Sequence, residues 1–277
     1  MSRMVKKEAT PGILEKLVPV LLLASIILAF VVGMLWQKVS SLQSGNAVAT
    51  QTAQTTQNAG QQAPPQVSLD IVKETFDKAA IKFGDTKKKL VLIEVADPSC
   101  PYCSIAAGEN PELNKQASNA QSDFTLVTDG GTYIAPVPEM KKLLDSGKAA
   151  FAYIYVPGHG NGEMGTKALY CAFDKNKFWE VHDKLMTAEG YKVLNETVKN
   201  DKAKTQELVD FLKSAMNPND LKTCLDSGKY DSRLTEDVTL AQGLGVNATP
   251  GFFVNATVFR GAYNFKDMEG AVNEALK

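Results

Sequence analysis

Two histidines, four cysteines and two tryptophans are all that 277 residues hold of those types, and each scarcity closes off a class of chemistry. With two histidines and few thiols, a multi-ligand transition-metal site has little to draw on. Four cysteines are too few for a disulfide scaffold in a chain of this length, whose apolar content is enough for a buried core. Charge of one sign is lacking as well. Thirty Lys plus Arg against 31 Asp plus Glu leave a net charge of −1, so nothing in the charge points to nucleic acid or to a strongly acidic partner. No internal repeat is visible. What is present is one CxxC and two distant single cysteines, an arrangement that invites a redox or a metal reading.

Residues 17–36 carry no charged side chain, and about twenty such residues are what a helix needs to cross a bilayer core. A transmembrane helix is expected there. The alternative is a cleaved secretory signal, but the run exceeds a typical apolar signal core, and the nearest A-x-A site, Ala47 to Ala49, lies well beyond its end. Arg3, Lys6, Lys7 and Lys16 precede the run while Lys38 stands nearly alone after it, which keeps residues 1–16 cytoplasmic and exports the rest. Residues 37–67 are mostly Ser, Thr, Gln, Asn, Ala and Gly, too polar to offset the entropy of ordering, and read as a flexible linker with a span on the order of 30 Å.

The folded part is expected over residues 68–277. Ser68-Leu69-Asp70 opens an amphipathic helix with Ile71, Val72 and Phe76 at helical spacing. Leu90 to Val95 suits a buried central strand that stops at Asp97-Pro98, Ala150 to Val156 is a second, and Phe252 to Val254 with Thr257 to Phe259 makes a third and fourth across a turn. The stretch between the second and third reads mainly as helix, with windows at 164–173, 178–186, 207–215 and 221–225, and 266–276 is a last amphipathic helix.

Cys100-Pro101-Tyr102-Cys103 stands where a strand gives way to a helix. Pro101 suits the first helical turn, having no N–H to leave unsatisfied, and so places Cys100 at the N-cap beside free backbone N–H groups. Those dipoles favour thiolate over thiol, and cysteines so placed ionise at roughly 3.5 to 7.5. Cys100 is then the nucleophile and Cys103, one turn inward, the buried resolving partner. The rival is half of a zinc site, which would need further N or S ligands and an open turn rather than a proline-started helix. His159 and His182 stand singly and are read as structural or surface residues.

With these residues in view the sequence resembles the thioredoxin superfamily, in particular its DsbA-like exported branch, over about residues 68–277. In Leu92-Ile93-Glu94-Val95-Ala96-Asp97-Pro98-Ser99-Cys100 an acidic residue lies six positions before the first cysteine, as in the family pattern. The resemblance makes Glu94 a buried carboxyl of raised pKa that relays a proton to the Cys103 sulfur; the alternative is an exposed strand edge. Gly245-Val246-Asn247-Ala248-Thr249-Pro250-Gly251-Phe252-Phe253 is similar to the segment that carries the family's cis proline. By that match Thr249 and Pro250 would display backbone to an extended substrate strand, with Pro101 and Tyr102 across from them.

Pro157-Gly158-His159, Ala168-Leu169-Tyr170-Cys171-Ala172 and Lys177-Phe178-Trp179-Glu180-Val181-His182 are similar to the helical domain that DsbA-like proteins insert, here about 159–243. The fold class implied is α/β, a thioredoxin-like fold with an inserted helical domain, preceded by one N-terminal transmembrane helix. Cys171 and Cys224 both fall in the helical block, and outside the cytoplasm two nearby thiols are normally joined. A structural disulfide is expected, closing a loop worth about 4 kcal/mol of chain entropy; the alternative is two unpaired buried thiols. Phe124 to Tyr133, with Asp129-Gly130-Gly131 as its turn, is read as a hairpin that simpler members lack, lying near the active site.

The activity implied is introduction of disulfides into exported proteins with free thiols, by a monomer without cofactor or metal. Recharging would come from a membrane oxidase of the DsbB or VKOR type. Two other readings stay open: a reductase or isomerase of the same fold, and a non-enzymatic module binding unfolded segments or copper.

Overall fold

The computed structural model of the protein describes residues 67–119 and 122–277. The expected cytoplasmic segment 1–16, the membrane helix 17–36 and all of the linker except Val67 lie outside the described residues. Among those described, no helix is long and apolar enough to cross a membrane.

Helix α1, Leu69–Lys78, starts where the Ser68 hydroxyl accepts the Asp70 N–H at 3.2 Å, and it buries Val72 and Phe76. A three-residue strand β1, Ile81–Phe83, leads to β2, Leu90–Ala96, in which every residue is buried. The active-site helix α2 is Pro101–Ala107 and is followed by α3, Pro111–Ala117, and α4, Pro136–Asp145. Strand β3, Ala149–Tyr155, is buried throughout. Six helical segments then intervene: α5, Glu163–Phe173; α6, Phe178–Met186; α7, Ala188–Lys192, running into a π-helical turn Val193–Val198; α8, Thr205–Leu212; α9, Pro218–Asp226; and α10, Asp231–Gly243. The chain returns through β4, Gly251–Val254, and β5, Thr257–Arg260, and closes with α11, Phe265–Leu276.

The five strands form one sheet in the order β1-β3-β2-β4-β5. β2 and β3 run parallel at its centre, with Glu94 opposite Tyr153, while β4 lies antiparallel to β2 with Phe252 opposite Glu94. Buried on both faces, the central strands read as unbroken apolar runs, the pattern parallel strands require. Alternation assigns the faces. Val91, Ile93, Val95, Ala150, Ala152, Ile154 and Phe253 meet Val72 and Phe76 of α1 and Ala241 of α10. Leu90, Leu92, Ala96, Phe151, Tyr153, Tyr155, Phe252 and Val254 meet α2 and the helical block. Each large side chain fully buried there contributes roughly 1.5–3 kcal/mol. Phe83 locks the block to the sheet edge, with ring contacts to Phe173 at 5.3 Å and Phe178 at 5.5 Å.

Two features hold the helical block. Cys171 and Cys224 are joined by a disulfide, their Cα atoms 6.0 Å apart. Buried Asp237 of α10 accepts the Tyr155 N–H at 2.9 Å, the Tyr170 hydroxyl at 2.6 Å and Arg233 Nε at 3.0 Å. A carboxylate this deep persists because it is paired and hydrogen-bonded.

The reading of 124–133 as a hairpin is corrected. After Leu126 the chain makes a 3₁₀ turn, Val127–Asp129, and only Leu126 and Tyr133 form a bridge, which is parallel. Of the two glycines, only Gly130 has positive φ, at 86°, whereas the tight hairpin turn wants two such residues. Gly131 instead donates its N–H to Leu126 at 3.0 Å and packs against the Thr125 backbone so closely that a Cβ would not fit.

Candidate active site

Cys100 is the N-cap of α2, with φ −78° and ψ 128°, and Pro101 is the first helical residue. The Cys103 and Ser104 N–H groups donate to the Cys100 carbonyl at 3.1 and 3.2 Å, and the open end of the first turn faces the Cys100 sulfur. Cys100 is lowered from the usual thiol value of 9.0 to about 6. The main cause is a hydrogen bond from the Cys103 thiol; burial opposes it, and the Cys103 and Tyr102 backbone N–H groups assist. The Thr249 carbonyl, 3.5 Å from Cys100 Sγ, accepts from the protonated thiol and offers nothing to the thiolate. Cys103 is fully buried and shifts the other way, well above 9.0, through burial first and then the hydrogen bond and negative charge of Cys100. The helix therefore separates two chemically identical residues into a ready anion and a reluctant one.

Glu94 is fully buried, and neither carboxyl oxygen has a hydrogen-bond partner. Burial raises it from 4.5 to about 7, the charge of His182 pulls it down and that of Asp183 pushes it up. It lies close enough to Cys103 for its own charge to raise that thiol. A carboxyl near half-protonation at neutral pH beside a sulfur that must gain and lose a proton is suited to proton relay.

Asp97 organises the loop between β2 and α2. One carboxylate oxygen accepts the Ser99 N–H and hydroxyl, both at 2.7 Å; the other accepts the Gly158 N–H at 2.7 Å and the His159 N–H at 2.9 Å. The backbone after β3 is thereby fastened beside the cysteines. Gly158 abuts the Thr249 hydroxyl, with no room for a Cβ between them. The Thr249–Pro250 peptide bond is cis, and the Thr249 carbonyl faces Cys100.

Tyr102 is 49% exposed and meets Phe124 edge-on at 6.1 Å, and Phe124 in turn meets Tyr133 at 5.5 Å. A cleft of about 620 Å³ opens here, lined among others by Tyr102, Phe124, Tyr133, Thr249, Arg260 and Tyr263. The segment misread as a hairpin thus forms one wall of a cleft that starts at the CxxC.

The structure brings together Glu94, Cys100, Cys103 and Thr249–Pro250, and places Cys171 and Cys224 apart in the helical block. Sequence reasoning missed Asp97, whose partners Gly158 and His159 lie far along the chain, and left His182 undecided between interior and surface. His159 is exposed, whereas His182 is fully buried. The signal was there: Phe178, Val181, His182 and Leu185 lie at helical spacing on one face, so the histidine shares an apolar stripe. Among the described residues no three His, Cys, Asp or Glu are grouped to hold a metal ion.

An asymmetric dithiol at a helix start, a cis proline opposite it and this sheet together define a thioredoxin-fold dithiol protein. A thioredoxin family model, Thioredoxin_4, matches residues 138–274. Disulfide bond formation protein D of Bacillus subtilis is 24% identical over 201 residues, which is 70% of this chain and 76% of that protein. The Na(+)/H(+) antiporter NhaA 3 of Salinispora tropica is 24% identical over 197 residues, and there the match spans 70% of this chain and only 24% of the antiporter. BdbD from Bacillus subtilis in its oxidised form superposes with a TM-score of 0.51 at 20% identity, over 77% of this chain and 97% of that one. A double cysteine-to-alanine variant of Wolbachia pipientis alpha-DsbA1 gives 0.54 at 15% identity, over 76% and 96%. By these likenesses the fold is thioredoxin-like, similar to that of BdbD and alpha-DsbA1.

Proposed function

We propose that the protein is a thiol:disulfide oxidoreductase that introduces disulfides into exported proteins through Cys100 and Cys103, held at the membrane by residues 17–36 with its folded part outside the cytoplasm. The observation that carries the reading is the opposed ionisation of the two thiols. A stabilised Cys100 thiolate favours the reduced dithiol over the disulfide, which makes the disulfide an oxidant. In the forward reaction a substrate thiolate attacks Cys100 of the Cys100–Cys103 disulfide. The bond between the two cysteines breaks, and Cys103 leaves as a thiolate that takes a proton from Glu94. A second substrate thiolate then attacks the substrate sulfur of the mixed disulfide and releases Cys100 as the thiolate. Two electrons pass from substrate to enzyme, and a membrane oxidase of the DsbB or VKOR type would remove them.

The backbone at Thr249–Pro250 would hold an extended substrate strand, with Pro101 and Tyr102 alongside and the 124–133 segment as a wall. Main-chain pairing of that kind tolerates many side chains, as a general oxidant needs. The second disulfide, Cys171–Cys224, supports an oxidising compartment, and the name of the Bacillus subtilis relative, disulfide bond formation protein D, supports disulfide formation. The test is to mix the oxidised full chain with a reduced unfolded protein bearing one thiol pair. One substrate disulfide should form for each Cys100–Cys103 disulfide consumed, Cys100→Ser should abolish the reaction, and the pair should be mainly oxidised in cells. A pair held reduced in cells, or oxidation that survives Cys100→Ser, would overturn the reading.

A further inference from the structure

Glu94 has a transport problem. Its carboxyl is sealed in the centre of the sheet with no hydrogen bond, yet a relay that serves Cys103 once per cycle must be reloaded from water. The groups that face it are few. From α2 comes Cys103, from β3 its register partner Tyr153, whose hydroxyl is buried and unpartnered, and from α6 His182 and Asp183. The His182 ring stacks on Phe178 at 5.5 Å and meets Tyr153 edge-on at 6.4 Å. Its two nitrogens have different surroundings. Nδ1 lies 2.9 Å from Asp183 Oδ1, whose side chain is 45% exposed, while Nε2 is buried without a partner.

We propose that His182 and Asp183 form the proton path between Glu94 and solvent, with His182 acting through Glu94 as a positioning residue of the dithiol exchange. This rests on the oxidoreductase reading above. Glu94 is the register partner of Tyr153, whose ring meets that of His182 at 6.4 Å; Glu94 Oε1 and Oε2, Tyr153 Oη and His182 Nε2 are all buried without a hydrogen-bond partner, and a bridging water needs two to four such partners. When Cys103 leaves as a thiolate, Glu94 gives it a proton and becomes a carboxylate. His182, neutral with its hydrogen on Nε2, takes a proton from solvent at Nδ1 beside the Asp183 carboxylate and then passes its Nε2 proton to Glu94 through such a bridge, which leaves the ring neutral with its hydrogen on Nδ1. Reoxidation runs the same steps backwards. The electrostatics agree in sign. Burial disfavours the imidazolium, but the Asp183 hydrogen bond and the charges of Glu94, Asp183 and Glu109 outweigh it and raise His182 overall. Glu109 follows α2 and is exposed, and its own carboxyl is raised by partial desolvation first and then by Asp183.

The experiment follows reduction of the full chain's disulfide by dithiothreitol in stopped flow, across pH and in H₂O against D₂O, for the unaltered chain, His182→Gln and Asp183→Asn. His182→Gln keeps polarity but cannot shuttle a proton. It should slow the reaction roughly tenfold or more, move its pH midpoint upward as Glu94 loses a positive neighbour, and enlarge the solvent isotope effect. Asp183→Asn, at the surface, should slow it less and also displace the midpoint. Should His182→Gln fail to fold by circular dichroism, Asp183→Asn decides alone. Folded variants that match the unaltered chain in rate, midpoint and isotope effect would overturn the path while leaving the oxidoreductase reading intact. An unaltered chain that exchanges no thiols would sink that reading first, and the path with it.

Discussion

The Cys100 sulfur lies 3.5 Å from the Thr249 carbonyl oxygen, a contact between residues 149 positions apart in the chain. The strand order explains it. β2 delivers the CxxC at its carboxyl end, and β4, its antiparallel neighbour, begins at Gly251 directly after the Thr249–Pro250 bond. Two segments that meet only in the folded sheet thus frame one sulfur, one supplying the helix that ionises it and the other the backbone that a substrate strand would meet.

Cys100 should alkylate as a thiolate. With a midpoint of about 6 it is roughly nine-tenths ionised at pH 7. The rate of modification by iodoacetamide under reducing conditions should therefore rise through about pH 6 and level off before pH 8. The same shift sets a sign for stability. A depressed thiol stabilises the reduced fold at pH values above the ordinary thiol value, and that contribution drains away as pH falls through about 6. Unfolded by urea in parallel, the reduced protein should gain stability relative to the oxidised protein as pH rises from about 6 to about 9. A midpoint near 9 would refute the assignment.

Asp97 is the residue whose loss should loosen the site most without touching either sulfur. Four donors converge on a carboxylate that is fully buried. In Asp97→Asn one oxygen becomes a donor facing donors, and an unsatisfied buried group costs about 1–3 kcal/mol, more where a charge was involved. Urea unfolding should show a loss of at least that size. Turnover should fall as Gly158 and the Thr249 side chain packed against it lose their anchor. Asp97→Asn with unaltered stability would mean that these four bonds are dispensable.

The sequence exposed the site unevenly, and the reason is distance along the chain. The CxxC, the proline that starts its helix and the strand before it are contiguous, so local chemistry declares them. Asp97 looked like a strand terminator because its function is to accept N–H groups 61 and 62 positions away. Strand β1 is three residues long and pairs only with β3, too short for an alternating pattern. Helix α10 hides its inner face because the buried position between Leu234 and Ala241 is Asp237, and a charge there breaks the apolar stripe that marks a helix. The Asp-Gly-Gly signal in 129–131 misled for a related reason: turn residues report a reversal, whereas strand pairing depends on the neighbours that receive it.

Glu94→Gln should change how stability depends on pH. A carboxyl whose ionisation is raised from 4.5 to about 7 by burial favours folding in its neutral form. That contribution is whole below pH 4.5 and is lost as pH climbs through 7. The interval corresponds to on the order of 3 kcal/mol. Glutamine is neutral at every pH, so the stability of Glu94→Gln relative to the unaltered reduced protein should improve by about that amount between pH 4.5 and pH 8, even if the two differ by a constant at low pH. Chemical unfolding of both proteins across this range measures the difference directly, and titrations common to both cancel. If the difference stays flat, Glu94 ionises near its ordinary value and cannot serve Cys103 at neutral pH. If it rises as stated while disulfide exchange slows, the carboxyl that costs the fold stability is the one that holds the proton for the leaving sulfur.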